Sequence, residues 1–67
     1  MNFGEALKTA RKSQGTTQKE LAKVLAISNQ YLCEIENSKR IPSHKLAEKL
    51  DAIYPEHNLL NKFNNLN

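Results

Sequence analysis

Asn29, Gln30 and Glu34 stand close together in the sequence, just ahead of a basic pair, Lys39-Arg40. Their chemistry suits the edges of nucleic-acid bases. An Asn or Gln amide can bond adenine at N6 and N7 together, and a carboxylate can accept from cytosine N4. Lys and Arg suit phosphate oxygens. On a helix turning about 100° per residue, Ser28, Leu32 and Ile35 gather on one side, which must be the buried one. Gln30, Cys33, Glu34 and Asn37 collect opposite, with Asn29 and Tyr31 on the two flanks. A polar helix face is usually no more than a solvated surface, so the elements that carry it must decide its meaning.

Those elements are two short helices joined by a tight turn. Thr17 opens the first, and Glu20 completes a Thr-x-x-Glu capping box. Ser28 opens the second, its hydroxyl able to satisfy free N–H groups of the following turn. Only Ala26-Ile27 separates the apolar run Leu21, Ala22, Val24, Leu25 from that second cap. So short a connection sets the helices at a steep angle and pushes the second outward. The arrangement is a helix-turn-helix over about residues 17–37, whose second helix suits the DNA major groove and presents its first positions to the base edges.

The rest of the chain reads as helices around this pair, in a single domain over residues 1–67. A first helix is expected from Phe3 to Gln14, with Phe3, Ala6, Leu7, Ala10 and Gln14 on one face and Gly15 as its stop. The second and third should cover Gln18–Leu25 and Asn29–Glu36. Pro42 sets up Ser43 as the cap of a fourth, reaching Ile53 and burying Leu46, Ala47, Leu50 and Ile53. Pro55 should break it and stand early in a fifth, running to about Asn65 with an apolar stripe of Leu59, Leu60, Phe63 and Leu66. Val, Ile, Thr, Phe and Tyr nowhere alternate as a strand would require. The expected class is all-α.

Composition excludes much else. A chain of 67 residues buries only about 60% of its unfolded surface and is marginally stable. The single Cys33 allows no internal disulfide, which favours a reducing, cytoplasmic setting. Cys33, His44 and His57 fit no zinc spacing, and Gly4 and Gly15 alone make no phosphate loop. No catalytic constellation, metal site or cofactor is expected. No apolar run approaches the ~20 residues of a membrane span, and the start Met1-Asn2-Phe3-Gly4-Glu5 does not resemble a signal peptide. Net charge is +3, with eight basic and four acidic groups in residues 1–45 against two and three in residues 46–67. A basic front and a near-neutral rear suit a polyanion on one face and a different contact on the other, although a lysine-rich solvated surface would give the same sum.

Thr17-Gln18-x-x-Leu21-Ala22, then Ile27-Ser28-Asn29-Gln30-Tyr31-Leu32, then Ile35-Glu36-Asn37-x-Lys39-Arg40-x-Pro42-Ser43 resembles the phage repressor/Cro-type helix-turn-helix family, from residue 3 to about 54. The resemblance implies a five-helix, lambda-repressor-like DNA-binding domain that binds operator DNA as a homodimer. Carried over, it puts Asn29, Gln30 and Glu34 at bases and Tyr31 at a base or the sugar-phosphate rail. It assigns Gln18, Asn37, Lys39 and Arg40 to phosphates. Helix N-termini favour phosphate, which suits both Gln18 and Ser28. Arg11 and Glu36 each lie about 70–80° from the centre of an apolar face; the family often joins these positions by an ion pair, where two separate surface charges are the alternative. Glycine is usual in the family at Ala26 and Ser38. A left-handed Ala26 would cost about 1 kcal/mol, and Asn37 can take the left-handed place next to Ser38.

The expected function is sequence-specific transcriptional regulation, most simply repression by a homodimer on a partly palindromic operator in double-stranded DNA. Its control would then come through concentration, competition or a regulatory protein partner. The dimer contact is expected from Leu59, Leu60, Phe63 and Leu66, some of which would cap the Leu50 and Ile53 face of their own chain. An antitoxin-like or restriction-controller regulator is the near alternative. A protein-interaction module that kept the fold is the distant one, and it would be expected to lose the outward amides and the Lys39-Arg40 pair.

Overall fold

Side-chain caps set where the helices of this protein begin. The computed structural model describes residues 2–65, all-helical and with no strand among them, so Leu66, one of the expected dimer contacts, lies outside the described residues. Helix α1 (Phe3–Ser13) opens on Asn2, whose Oδ1 accepts from the Glu5 N–H at 2.9 Å while Glu5 reaches back to the Asn2 N–H at 3.3 Å. Helix α2 (Gln18–Leu25) has the expected Thr17–Glu20 box, with bonds of 3.1 and 2.8 Å. Ser28 caps α3 (Asn29–Glu36) through the Tyr31 N–H at 3.0 Å, and Ser43 caps α4 (His44–Ile53) through the Leu46 N–H at 3.1 Å.

The ends of α1, α2 and α3 share one solution. At each, a residue in the left-handed region lets its own N–H and that of the following residue close on the last carbonyls, as in a Schellman motif. Gly15 (φ 69°) ends α1, and Thr16 N–H bonds the Arg11 carbonyl at 3.2 Å. Ala26 (φ 58°) ends α2, and Ile27 N–H bonds the Ala22 carbonyl at 3.0 Å. Ser38 (φ 62°) ends α3, and Lys39 N–H bonds the Glu34 carbonyl at 2.8 Å. Asn37 stays at φ −93°, so the left-handed place expected of it belongs to Ser38.

The core takes Phe3, Leu7 and Ala10 from α1, Leu21, Ala22 and Leu25 from α2, Leu32 and Ile35 from α3, Leu46, Ala47 and Leu50 from α4, and Tyr54 and Leu59 beyond. Gly4 brings α1 against the end of α3: a Cβ there would stand 2.6 Å from the Ile35 carbonyl oxygen and 2.7 Å from that of Glu36.

Three expectations need correction, and one residue of the apolar run in α2 lies outside the core. Gln14 is exposed, because α1 stops at Ser13 and the chain turns away through Gly15. Val24 is 72% exposed, lying about 100° round the helix from the buried trio of α2. Ile53 is 41% exposed, and Tyr54 closes the α4 face in its place. The fifth helix is also broken. Pro55–His57 form a 3₁₀ turn, Asn58 takes φ 53°, and α5 is only Leu59–Asn64. Left-handed Asn58 does not cap α5 with its own side chain; Asp51 of α4 accepts from the Leu60 N–H at 3.2 Å instead.

Candidate nucleic-acid interface

The root of α3 is anchored by a buried charge. Arg11 Nε donates to Glu36 Oε2 at 2.7 Å and Nη2 to Oε1 at 3.0 Å, with the two side chains 9% and 0% exposed. Arg11 Nη1 also donates to the Thr16 carbonyl at 2.8 Å, and Gln18 Nε2 to Glu36 Oε1 at 3.1 Å. One carboxylate therefore ties α1, α2 and α3 together. The hydrogen bond to Glu36 raises Arg11 further above its ordinary value, so the guanidinium stays charged. Beside it, burial pushes the Tyr54 phenol upward against a hydrogen bond from Thr16.

This anchor changes the position of Gln18. Its amide is half-buried and already holds Glu36, with one further N–H outside that bond. The first backbone N–H groups of α2 are left without helical partners by helix geometry. The Thr17 N–H, and secondarily its hydroxyl, hold the Glu20 carboxyl below the usual carboxylate range.

The outward side of α3 carries the groups named from sequence. Ser28, Asn29 and Gln30 are exposed, and Tyr31 is half-buried against the core. Lys39, Arg40 and Asn37 are exposed beyond the helix. Glu34 is engaged by Arg40, whose Nε lies 3.1 Å from Glu34 Oε1 and whose guanidinium lies 5.7 Å from the centre of the Tyr31 ring. Asn37 Nδ2 contacts Cys33 Sγ at 3.3 Å, and Lys8 Nζ comes within 3.5 Å of Asn37 Oδ1. Lys8 thus brings a further cation from α1 to the end of α3. Only the packing of α1 on α3 shows this, since the two residues are distant in sequence. The Gln18–Glu36 bond is equally hidden in the sequence, because it depends on how α2 crosses α3.

At the rear of the domain, part of the α5 stripe packs on its own chain, as expected of some of its residues. Leu59 has no exposure and closes the core of its own chain, which removes it as a contact between copies. Leu60 and Phe63 are half-buried against that core. Phe63 meets Phe3 edge-on at 6.1 Å and His44 at 5.6 Å. Among the described residues no cluster of potential metal ligands forms, and no helix is long and apolar enough to cross a membrane.

Comparison with known proteins agrees with this geometry. The sequence model of the family described as "Helix-turn-helix" matches residues 7–57, which include α2, α3 and the whole Arg11–Gln18–Glu36 network. Over 48 residues the chain is 38% identical to the "ImmF control region 10 kDa protein" of Bacillus phage phi105, covering 72% of this chain and 53% of that relative. The chain spans about half the length of the curated relative it matches. No solved structure matches it significantly.

Proposed function

The chain belongs to the helix-turn-helix family of phage repressor/Cro type, and on that premise we propose that it is a sequence-specific regulator of transcription. It represses by occupying a partly palindromic operator as a homodimer, and it carries out no catalysis. The observation that carries this reading is the contrast along α3. Its root is fixed by a buried ion pair to α1, while Asn29 and Gln30 at its start are exposed and unengaged among the described residues. A helix held in this way offers base-reading amides at small ordering cost, because its backbone does not have to be organised on binding.

Asn29 and Gln30 read base edges, and Tyr31 meets a base or the sugar-phosphate rail. Ser28, Gln18, Asn37, Lys39 and Arg40 meet phosphates. In a two-fold dimer the recognition helices lie about 34 Å apart, one turn of DNA. A relative named for a control region supports the regulatory part of the reading.

Selecting bound duplexes from a random-sequence pool tests it directly. A two-fold symmetric motif should emerge; a pool without enrichment overturns the proposal. On the selected site, Gln30→Ala should cost about 1–3 kcal/mol and relax preference at one position per half-site. Lys39→Ala should weaken all duplexes alike and reduce the salt slope by about 0.9 for each phosphate that is no longer neutralised.

A further inference from the structure

Glu34 stands on the outer side of α3 with its carboxylate engaged. Arg40, from the loop after α3, donates through Nε to Glu34 Oε1 at 3.1 Å, and its guanidinium lies 5.7 Å from the Tyr31 ring centre. Glu34 and Tyr31 are one turn apart on α3, and with Ser28, Gln30 and Arg40 they line an open depression beside the helix. The Arg40 and Glu34 side chains remain 59% and 31% exposed. Among the described residues no hydrogen bond engages the terminal Nη groups of Arg40. A guanidinium can hold a carboxylate at Nε while its outer N–H groups hold a phosphate, in a fixed planar geometry that a lysine ammonium lacks.

We propose that Glu34 is a positioning residue for Arg40 and does not read a base. It holds the guanidinium at the rim of α3, where the outer N–H groups meet a backbone phosphate. Arg40 in return cancels the repulsion between the Glu34 carboxylate and the DNA. The inference rests on the operator-binding reading and refines it. A carboxylate that accepts from cytosine would first have to give up Arg40. It would then stand unneutralised in the groove of a polyanion. Keeping the pair avoids that penalty and leaves sequence reading to Asn29 and Gln30.

A double-mutant cycle on the selected duplex tests the proposal, with circular dichroism confirming the helical fold of each variant. Arg40→Ala should weaken binding by about tenfold or more, because it removes a phosphate contact and exposes an unpaired carboxylate to the DNA. Glu34→Ala alone should weaken binding by about threefold, because Arg40 loses its anchor, and leave base preference intact, whereas adding it to Arg40→Ala should restore binding by about fivefold. Additive effects overturn the proposal. So does a double variant weaker than Arg40→Ala, or a Glu34→Ala variant with altered preference at one base pair. In the free protein, the Arg40 Nε–H resonance should move on Glu34→Gln, and a resonance that stays in place overturns the pairing whatever the DNA result. Wild-type protein that prefers no duplex overturns the operator reading itself, while the resonance reports separately on the pair.

Discussion

Arg11 and Glu36 meet edge to edge, at 2.7 and 3.0 Å, in a pocket that covers the carboxylate completely. The pair joins the middle of the domain to the root of the helix that faces outward. Gln18 adds a third bond to the same carboxylate. Burying two charges is costly, and the cost is met only while each keeps its partner.

Removing one partner should therefore be far worse than removing both. Glu36→Ala or Arg11→Ala is expected to destabilise the domain by about 3–5 kcal/mol, which for a marginally stable chain leaves much of it unfolded at 25 °C. The double variant Arg11→Met/Glu36→Leu should be less destabilised than either single variant. Urea unfolding followed by circular dichroism reads all three, and singles within about 1 kcal/mol of wild type would show the pair to be an ordinary surface contact.

The capping box of α2 gives a pH dependence with a definite sign. Hydrogen bonds from Thr17 hold the folded Glu20 carboxyl below its unfolded value. The stabilisation is therefore fully present above the unfolded pKa and is lost as pH falls through the folded one. Thermal stability of the wild type should fall progressively below about pH 4, and Glu20→Gln, which keeps an acceptor but does not titrate, should lose less over the same window. Parallel acid profiles for the two proteins would place the acid sensitivity elsewhere.

Much of the fold is legible in the sequence because its signals are local. Thr17, Ser28 and Ser43 cap their helices within three residues of chain, and α2, α3 and α4 take the expected bounds. The errors arise where tertiary packing or a chain turn decides. Ile53 and Tyr54 compete for one side of α4, and the phenol wins because it also reaches the polar surroundings of Arg11 and Thr16. The break at Asn58 leaves only a weak local signal, an Asn that tolerates the left-handed region, because the apolar stripe Leu59, Leu60, Phe63 reads the same whether or not a turn precedes it. At the interface, the residue types on the outward side of α3 are readable from their angles. Their engagement is not: Glu34 with Arg40, and Gln18 with Glu36, are joined across a loop and between helices.

Two non-glycine residues sit where glycine is the easier choice. Ala26 and Ser38 hold φ of 58° and 62° at the ends of α2 and α3, and a left-handed residue with a Cβ costs roughly 1–2 kcal/mol. Relief of that strain by glycine is partly offset by the greater freedom of glycine in the unfolded chain. Ala26→Gly and Ser38→Gly should each stabilise by about 0.5–1 kcal/mol, raising Tm by several degrees. Differential scanning calorimetry decides it, and a lowered Tm for Ala26→Gly would contradict the left-handed turn between the two helices.

The proposed dimer needs a surface, and the structure narrows the choice on α5. Leu59 is spent on the monomer core, and Phe63 is held between Phe3 and His44. Phe63→Asp would therefore damage folding along with any assembly and cannot separate the two. Leu60 is better placed, since it is only half-buried and a change to Lys keeps its backbone bond to Asp51. Leu60→Lys should cost about 1 kcal/mol or less in stability, because only part of the side chain is removed from water. If α5 joins the copies, the variant should lose cooperative binding to a full operator while still binding single half-sites. Asn61→Lys, at an exposed position of the same helix, should be silent. Sedimentation at micromolar concentration, with and without operator, separates the outcomes: wild-type protein that occupies each half-site alone, with no cooperativity between them, would remove the dimer from the mechanism.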